Sequence, residues 1–250
     1  MIGQIRDYWN ERIHDMEMTR HPPGSAEFFR DLEEYRFDKL RYLPRTVEFA
    51  GYRGKKLLEI GCGLGIDLVR FAQGGAEVTG VDLAPVSIEL ARGNFRLHGL
   101  RGSLQAMDGE NLEFADESFD VVYAHGVLQY TADAQRMIDE ARRVLKTGGS
   151  AIFMVYNRFS WLNALSKVMK VGLEHEDAPV LTKYSAGQFR KMLEGFSAVS
   201  LVTERFPVST RLHKGIKGWL YNRLFVPLFD IIPRPLIRPL GWHIMAFCVK

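Results

Sequence analysis

Residues 56–67 read Lys-Leu-Leu-Glu-Ile-Gly-Cys-Gly-Leu-Gly-Ile-Asp, and several of them could do chemistry together. Gly61, Gly63 and Gly65 leave a turn without side chains at those positions. A ligand lying over it meets bare backbone N–H groups, and positive φ is cheap only for glycine. Glu59, just ahead of the turn, would repel a pyrophosphate and welcome a cationic amino group. Asp82 ends the run Ala76-Glu77-Val78-Thr79-Gly80-Val81-Asp82. In a parallel sheet a carboxylate there projects beside the glycine turn and can accept both hydroxyls of a ribose. The spacing describes a nucleoside-containing ligand.

Positioning these groups takes a strand, a turn and a helix. Leu57, Leu58 and Ile60 make a short buried strand, and Leu68–Ala72 reads as the start of a helix. From Lys55 the pattern alternates: strand 56–60, helix 65–73, strand 76–82, helix 85–98, strand 102–107, strand 118–124, helix 132–145 and strand 149–156. Alternation of this kind demands crossover connections and a parallel sheet covered on both faces. Ligands of such sheets bind beyond the C-terminal strand ends, where all the residues above fall. A dinucleotide fingerprint wants G-x-G-x-x-G, but here the third glycine comes one residue early and Ile66 takes its place.

The G-x-G-x-G turn with Glu59 and Asp82 resembles motif I and the following strand of the class I S-adenosylmethionine-dependent methyltransferases, in their small-molecule, type 11 or UbiE-like group. The resemblance extends over about 55–156. Asp108, after the third strand and flanked by Met107 and Gly109, resembles the acid that accepts the adenine amino group, although alone it reads as a turn-forming aspartate. Ser118–Tyr130 resembles the family's fourth block, which lies between cofactor and substrate, and Glu140–Ser150 resembles its helix, glycine stop and fifth strand. Thr147 stands where proline often precedes the Gly-Gly, a departure confined to a turn. The resemblance implies a Rossmann-like α/β fold: a seven-stranded, mostly parallel sheet, an antiparallel last strand inserted between the fifth and sixth, and a helical cap. It implies S-adenosylmethionine as cofactor and S-adenosylhomocysteine as product. Cofactor contacts would come from Glu59, Gly61, Cys62, Gly63, Gly65, Asp82, Leu83, Met107, Asp108, Gly109 and His125.

Transfer of an activated methyl is an in-line displacement that needs alignment and exclusion of water, and a base only if the acceptor arrives protonated. His125, at the mouth of the expected site, is the candidate base, with packing against the cofactor as its other reading. Gln129 and Tyr130 are the candidate substrate-facing groups. His14, His21, His98, His175, His213 and His243 have no metal spacing and read as surface or capping residues, so no metal is expected. Cys62 reads as a small turn residue.

The 250 residues suit one domain: a helical lid over 1–50, a cofactor-binding core over 51–156, and a substrate-side cap with the C-terminal strands over 157–250. In the lid, Tyr8 and Trp9 could close on the cofactor and Arg36 or Arg41 meet its carboxylate; the alternative is packing against the sheet edge. Tyr184–Phe196 reads as the last helix, Ala198–Phe206 as the sixth strand and Gly241–Val249 as the final strand, with 157–183 a helical extension. Between Arg205 and Leu240 seven Lys or Arg face one acid, Asp230, amid Trp219, Tyr221, Phe225 and Phe229. Residues 207–240 could be an aromatic lid over an apolar substrate, a peripheral membrane contact, or an edge extension or dimer interface.

Hydrophobic residues make up 46% and charged residues 25% of the chain, ordinary globular values, and a net charge of +3 is too small to indicate nucleic acid. Two cysteines, Cys62 and Cys248, make no disulfide framework, and no stretch approaches the roughly 18 apolar residues of a membrane span. A cytoplasmic protein is expected. The expected function is methylation of an apolar or aromatic small molecule, natural-product or quinone-like, at oxygen. Methylation of nitrogen or carbon, methylation of RNA, and a catalytically silent cofactor-binding partner subunit are the alternatives.

Overall fold

The computed structural model describes residues 1–250 apart from 14, 171, 174 and 210–214. His14, Arg211, His213 and Lys214, which entered the reading above, lie outside the described residues.

Seven strands form one sheet in the order β3-β2-β1-β4-β5-β7-β6. They are β1 Lys56–Ile60, β2 Glu77–Asp82, β3 Ser103–Ala106, β4 Phe119–His125, β5 Leu145–Tyr156, β6 Ala198–Glu204 and β7 His243–Val249. The first five pair in parallel, and β7 runs antiparallel between β5 and β6. This is the topology expected from the sequence. β5 starts at Leu145 rather than 149, because Leu145 already pairs with Phe119 ahead of an irregularity in the ladder.

Near-continuous apolar runs in β1, β4 and β5 send alternate side chains to opposite faces, and both faces are buried. Leu57, Val121, Tyr123 and Ile152 join one core layer with α4 (Ile66–Gln73) and α5 (Pro85–Leu97), reached after three earlier helices. Leu58, Val122, Phe153 and Val155 join the other with α6 (Ala134–Val144) and, further along the chain, α8 (Ala186–Met192). Along α6, Met137, Ile138, Ala141 and Val144 all fall on the buried stripe. A fully buried side chain of Val or Leu size contributes about 1.5–3 kcal/mol, so these layers fix the register that carries the strand ends.

The three preceding helices are α1 Ile2–Glu11, α2 Ala26–Lys39 and α3 Leu43–Val47. Ser25 caps α2 as its sequence predicts, its side chain accepting the backbone N–H of Phe28. Phe28, Phe29 and Leu32 then seat α2 on Leu64 of the glycine turn, which lays the N-terminal region over the strand ends.

The C-terminal cap departs from expectation. Among the described residues of the 157–183 extension, only α7, Trp161–Met169, is helical. In the 207–240 segment, α9 (Gly215–Leu220) runs through a π-helical turn, Tyr221–Phe225, into α10 (Val226–Ile231) and α11 (Arg234–Ile237). Its aromatics do not roof the cavity described below: Tyr221, Phe225 and Phe229 pack on Trp161 in a cluster of their own. Trp161 is the stronger partner because its ring is already anchored, Nε1 donating to the carbonyl of Arg205 at 2.8 Å. Ile216, Trp219 and Ile231 point outward, 79%, 58% and 77% exposed, and none of the described residues of 207–240 lines the cavity. Among the described residues no helix is long and apolar enough to cross a membrane.

Candidate active site

The glycine turn hooks onto the end of β2: Gly61 N and Cys62 N both donate to the carbonyl of Val81, at 2.8 and 3.0 Å. Gly61 has φ +71°, and a Cβ there would lie 2.8 Å from Val127, so only glycine fits. At Gly63 (φ +50°) a Cβ would meet nothing within 4 Å; the backbone there faces open space. Asp82 closes the arrangement, Oδ2 accepting from Gly63 N at 2.8 Å and Oδ1 from Ala84 N at 2.9 Å. Burial pushes its carboxyl above the usual range, against the pull of those two N–H groups. Its place in the structure is therefore double: it braces the turn, and each oxygen keeps a second lone pair.

Below the turn lies a cavity of about 200 Å³, far larger than the voids of a packed core. Glu59, Gly61, Cys62, Gly63, Asp82, Leu83, Met107, Asp108, Gly109, His125 and Tyr130 all line it. Two residues named from the sequence do not. Gly65 caps α4 in the left-handed conformation, and its Cβ position lies 3.3 Å from Ala91, so it seats α4 against α5. Gln129 is fully buried and does not line the cavity; its backbone carbonyl accepts from Thr182 N, and its side-chain amide has no hydrogen-bond partner. Asp108 turns the chain as well as lining the cavity, Oδ1 accepting from Glu110 N at 2.9 Å.

Glu59 is 4% exposed, and its Oε2 has no hydrogen-bond partner. Burial and the neighbouring Asp67 push its carboxyl well above the usual range, and Arg36 offsets them only in part. An orphaned acid beside bare glycine backbone and two more carboxylates fits a nucleoside that carries an ammonium group. The residues present thus suit S-adenosylmethionine.

On the other side the N-terminal region supplies the cover. Trp9 lines the cavity; Tyr8 does not, its hydroxyl donating to Asp177 at 2.9 Å. Arg36 Nε donates to Asp67 Oδ1 at 2.6 Å, Nη2 pairs with Oδ2 of the same carboxylate, and Tyr123 donates to it at 2.8 Å. That pairing holds the Asp67 carboxyl below its ordinary value. Arg41 instead pairs with Asp38 on the surface, away from the cavity. Asp67 escaped the sequence reading, although an aspartate on the apolar stripe of α4 was the available signal.

His125 is not the near-neutral imidazole expected from its type. Burial and the Arg36 cation push it down to about 3. Tyr42 joins its Nε2 at 3.0 Å and also meets His243 Nδ1 at 2.6 Å, while Arg205 Nη1 lies 3.2 Å from His243 Nε2. His243, expected on the surface, is 2% exposed and lines the cavity, as does Arg205. It is buried because the first residue of the antiparallel strand enters between β5 and β6 at the ligand end of the sheet. Among the described residues no group of three or more His, Cys, Asp or Glu could hold a metal.

Replacing Asp82 by Ala is expected to cost about 1–3 kcal/mol of cofactor affinity, because it removes the carboxylate that braces the turn and that the sequence reading assigns to the ribose. Titration calorimetry of S-adenosylhomocysteine checks this, and an unchanged Kd would reject the ribose role.

Residues 58–153 match the family described as a methyltransferase domain. A ubiquinone biosynthesis O-methyltransferase of Alkalilimnicola ehrlichii is 28% identical over 172 residues, 63% of this chain and 66% of that protein. A sterol 4-C-methyltransferase of Caenorhabditis elegans is 30% identical over 178 residues, 70% of this chain and 51% of that one. The chain thus spans one half to two thirds of these relatives' length. In solved structures the fold is matched by magnesium protoporphyrin IX methyltransferase of Synechocystis with bound SAH, at TM-score 0.62, 16% identity and 98% coverage of both chains.

Proposed function

From the match of residues 58–153 to a methyltransferase domain we propose that the chain is an S-adenosylmethionine-dependent methyltransferase that methylates an oxygen of an aromatic, largely apolar small molecule. One observation carries the reading. The cavity that begins at Glu59, Asp82 and Asp108 continues without a partition to a wall of Trp9, Tyr130, Met154 and Tyr156. Tyr130 and Tyr156 meet edge to face at 5.9 Å, and Trp9 meets Tyr130 in the same way at 5.1 Å. Such walls select flat apolar ligands and exclude water from a displacement.

The cofactor, when bound, supplies a methyl group already activated on a sulfonium. Glu59 would then accept from its amino group, Asp82 from the ribose and Asp108 from the base. The aromatic wall aligns the acceptor, and alignment is the main contribution such a reaction needs. His125, held neutral between Tyr42 and Arg36, orients and does not take a proton. An acceptor hydroxyl instead gives its proton to water before it is seated, and nearby cations favour its ionised form. The modest net charge of +3 gives RNA no electrostatic footprint.

The test is formation of S-adenosylhomocysteine from S-adenosylmethionine across a panel of hydroxyarenes, with aminoarenes alongside. Turnover confined to the hydroxyarenes supports the reading, whereas cofactor binding without turnover on any of them would favour the silent subunit. With an active acceptor, the pH profile of kcat should follow the acceptor's own ionisation and carry no limb near pH 6.5. A limb between pH 6 and 7 that disappears in His125→Gln would restore His125 as the base.

A further inference from the structure

The cap built from α7 and the α9–α11 segment is apolar on two faces. Inward, Tyr221, Phe225 and Phe229 close on Trp161 with ring centres 5.9–6.4 Å from it. Outward, Ile216, Leu220, Leu224, Leu228 and Ile231 form a second stripe, 40–79% exposed. Their spacing of four, four, four and three residues keeps them on one side of the helical run. Each four-residue step of an α-helix overshoots a full turn by about 40°, and the wider π turn at Tyr221–Phe225 takes back part of that drift. Trp219 and Arg223, four residues apart and both exposed, flank the stripe. A helix that is apolar all round belongs in an interior. The inner stripe has its partner within the chain; the outer one faces solvent.

The charges around this stripe have one sign. Arg223 and Arg238 are exposed on the segment, and Arg158, Lys167 and Lys170 on α7 and its flanks. Among the described side chains of 157–170 and 215–240 these five cations face a single exposed acid, Asp230. Val168, beside Lys167 on the outer side of α7, adds to the exposed apolar surface. The two stretches form one body. Besides the ring cluster, the Asn157 side-chain amide donates to the carbonyls of Pro239 and Gly241 at 2.9 and 2.8 Å. The preceding residue, Tyr156, belongs to the aromatic wall of the cavity, so the cap sits beside that wall.

Charge decides what covers such a face. A second copy of the chain would match the apolar stripe, but a two-fold contact sets the cations of one copy against those of the other. An anionic bilayer surface matches both features: the apolar side chains enter the head-group boundary, Lys and Arg stay with the phosphates, and an exposed Trp favours that depth. We propose that the outer face of α9–α11, with the exposed end of α7, docks the protein peripherally on an anionic membrane surface. The contact goes beyond methyl transfer and does not depend on it, since none of these residues lines the cavity. With the methyl-transfer reading added, it brings the aromatic wall next to the phase in which an apolar acceptor dissolves.

Co-sedimentation of the full chain with vesicles tests the contact, comparing phosphatidylcholine alone with phosphatidylcholine carrying about one third phosphatidylglycerol. The mixed vesicles should bind at least about tenfold more tightly, and added salt should weaken them. Arg223→Gln/Arg238→Gln should lose about tenfold or more, at roughly fivefold for each charge near the surface. Leu228→Gln/Ile231→Gln, which removes apolar surface from the stripe and leaves the charges, should lose at least about tenfold as well. Tryptophan emission should shift to the blue on binding, and Trp219→Phe should remove that shift. No binding to the mixed vesicles, equal binding to both kinds, or binding that survives Leu228→Gln/Ile231→Gln would each overturn the proposal. So would a dimer, seen by sedimentation velocity without vesicles, that Leu228→Gln/Ile231→Gln dissociates, because the stripe would then belong to a second copy. Should a double variant fail to fold, the wild-type comparison and Trp219→Phe decide. Failure of S-adenosylhomocysteine to bind, with vesicle binding intact, would remove the methyl-transfer reading and leave the docking face standing.

Discussion

Arg36→Met is expected to destabilise the protein by about 3–5 kcal/mol at neutral pH, because it leaves the Asp67 carboxylate buried without its countercharge. The Asp67 side chain is 1% exposed and that of Arg36 18%, so the carboxylate keeps little contact with bulk water in place of its partner. Only the Tyr123 hydroxyl would remain as a partner. Asp67 titrates below its ordinary value in the native protein, so its contribution is present above the unfolded carboxylate pKa and is lost as pH falls through the depressed native one. Removing Arg36 reverses the sign: the orphaned carboxyl rises, and the defect shrinks as acid neutralises it. Urea unfolding at pH 7 and pH 5 should therefore show a smaller difference between variant and wild type at pH 5. The double variant Arg36→Met/Asp67→Leu should recover most of the loss, since a buried pair replaced by apolar groups of similar volume is often neutral. A loss under about 1 kcal/mol for the single variant would mean that water reaches Asp67. The pair ties α2 to the start of α4, so the same substitution should loosen the N-terminal cover over the cavity.

The strands and their order were legible because the two periodicities that encode them survive in a single chain. Leu57/Leu58 and Val121/Val122 declare a sheet buried on both faces, and Met137, Ile138, Ala141 and Val144 declare the stripe of a helix. That the glycine turn, Glu59 and Asp82 would share one cavity wall was legible for a similar reason, since they lie close in sequence. The opposite wall of the cavity was not. Tyr42, His125, Arg205 and His243 come from four separate stretches, and only the antiparallel insertion of β7 brings them together. Read alone, His243 looked like a surface residue and His125 like an ordinary base, because a side chain's pKa depends on neighbours that sequence order hides. The aromatics of 207–240 misled in the opposite direction. Their composition is that of a ligand wall, but Trp161 supplies a partner for them outside the cavity.

Glu59→Gln is expected to weaken S-adenosylhomocysteine by about 1.5–3 kcal/mol, the range for a hydrogen bond to a charged group, or roughly 10- to 150-fold. The reasoning runs through a proton. In the ligand-free protein burial and Asp67 keep the Glu59 carboxyl well above its ordinary value, so between the unfolded and native pKa the folded chain binds more protons, and stability falls as pH rises through that window. An ammonium group brought against Oε2 favours the ionised form and drives the proton off. Binding should therefore release a proton at pH values below the native pKa of Glu59. Calorimetric enthalpies measured in phosphate and in Tris should differ accordingly, and Glu59→Gln, which has nothing to release, should abolish that difference. A ligand with the same nucleoside and thioether but no amino acid, 5′-methylthioadenosine, separates this contact from general damage to the turn. It should bind wild type and Glu59→Gln equally, because the lost partner is the ammonium alone. If both ligands lose affinity by the same factor, Glu59 shapes the turn from beneath, and the preference of this cavity for a cationic cofactor must come from elsewhere.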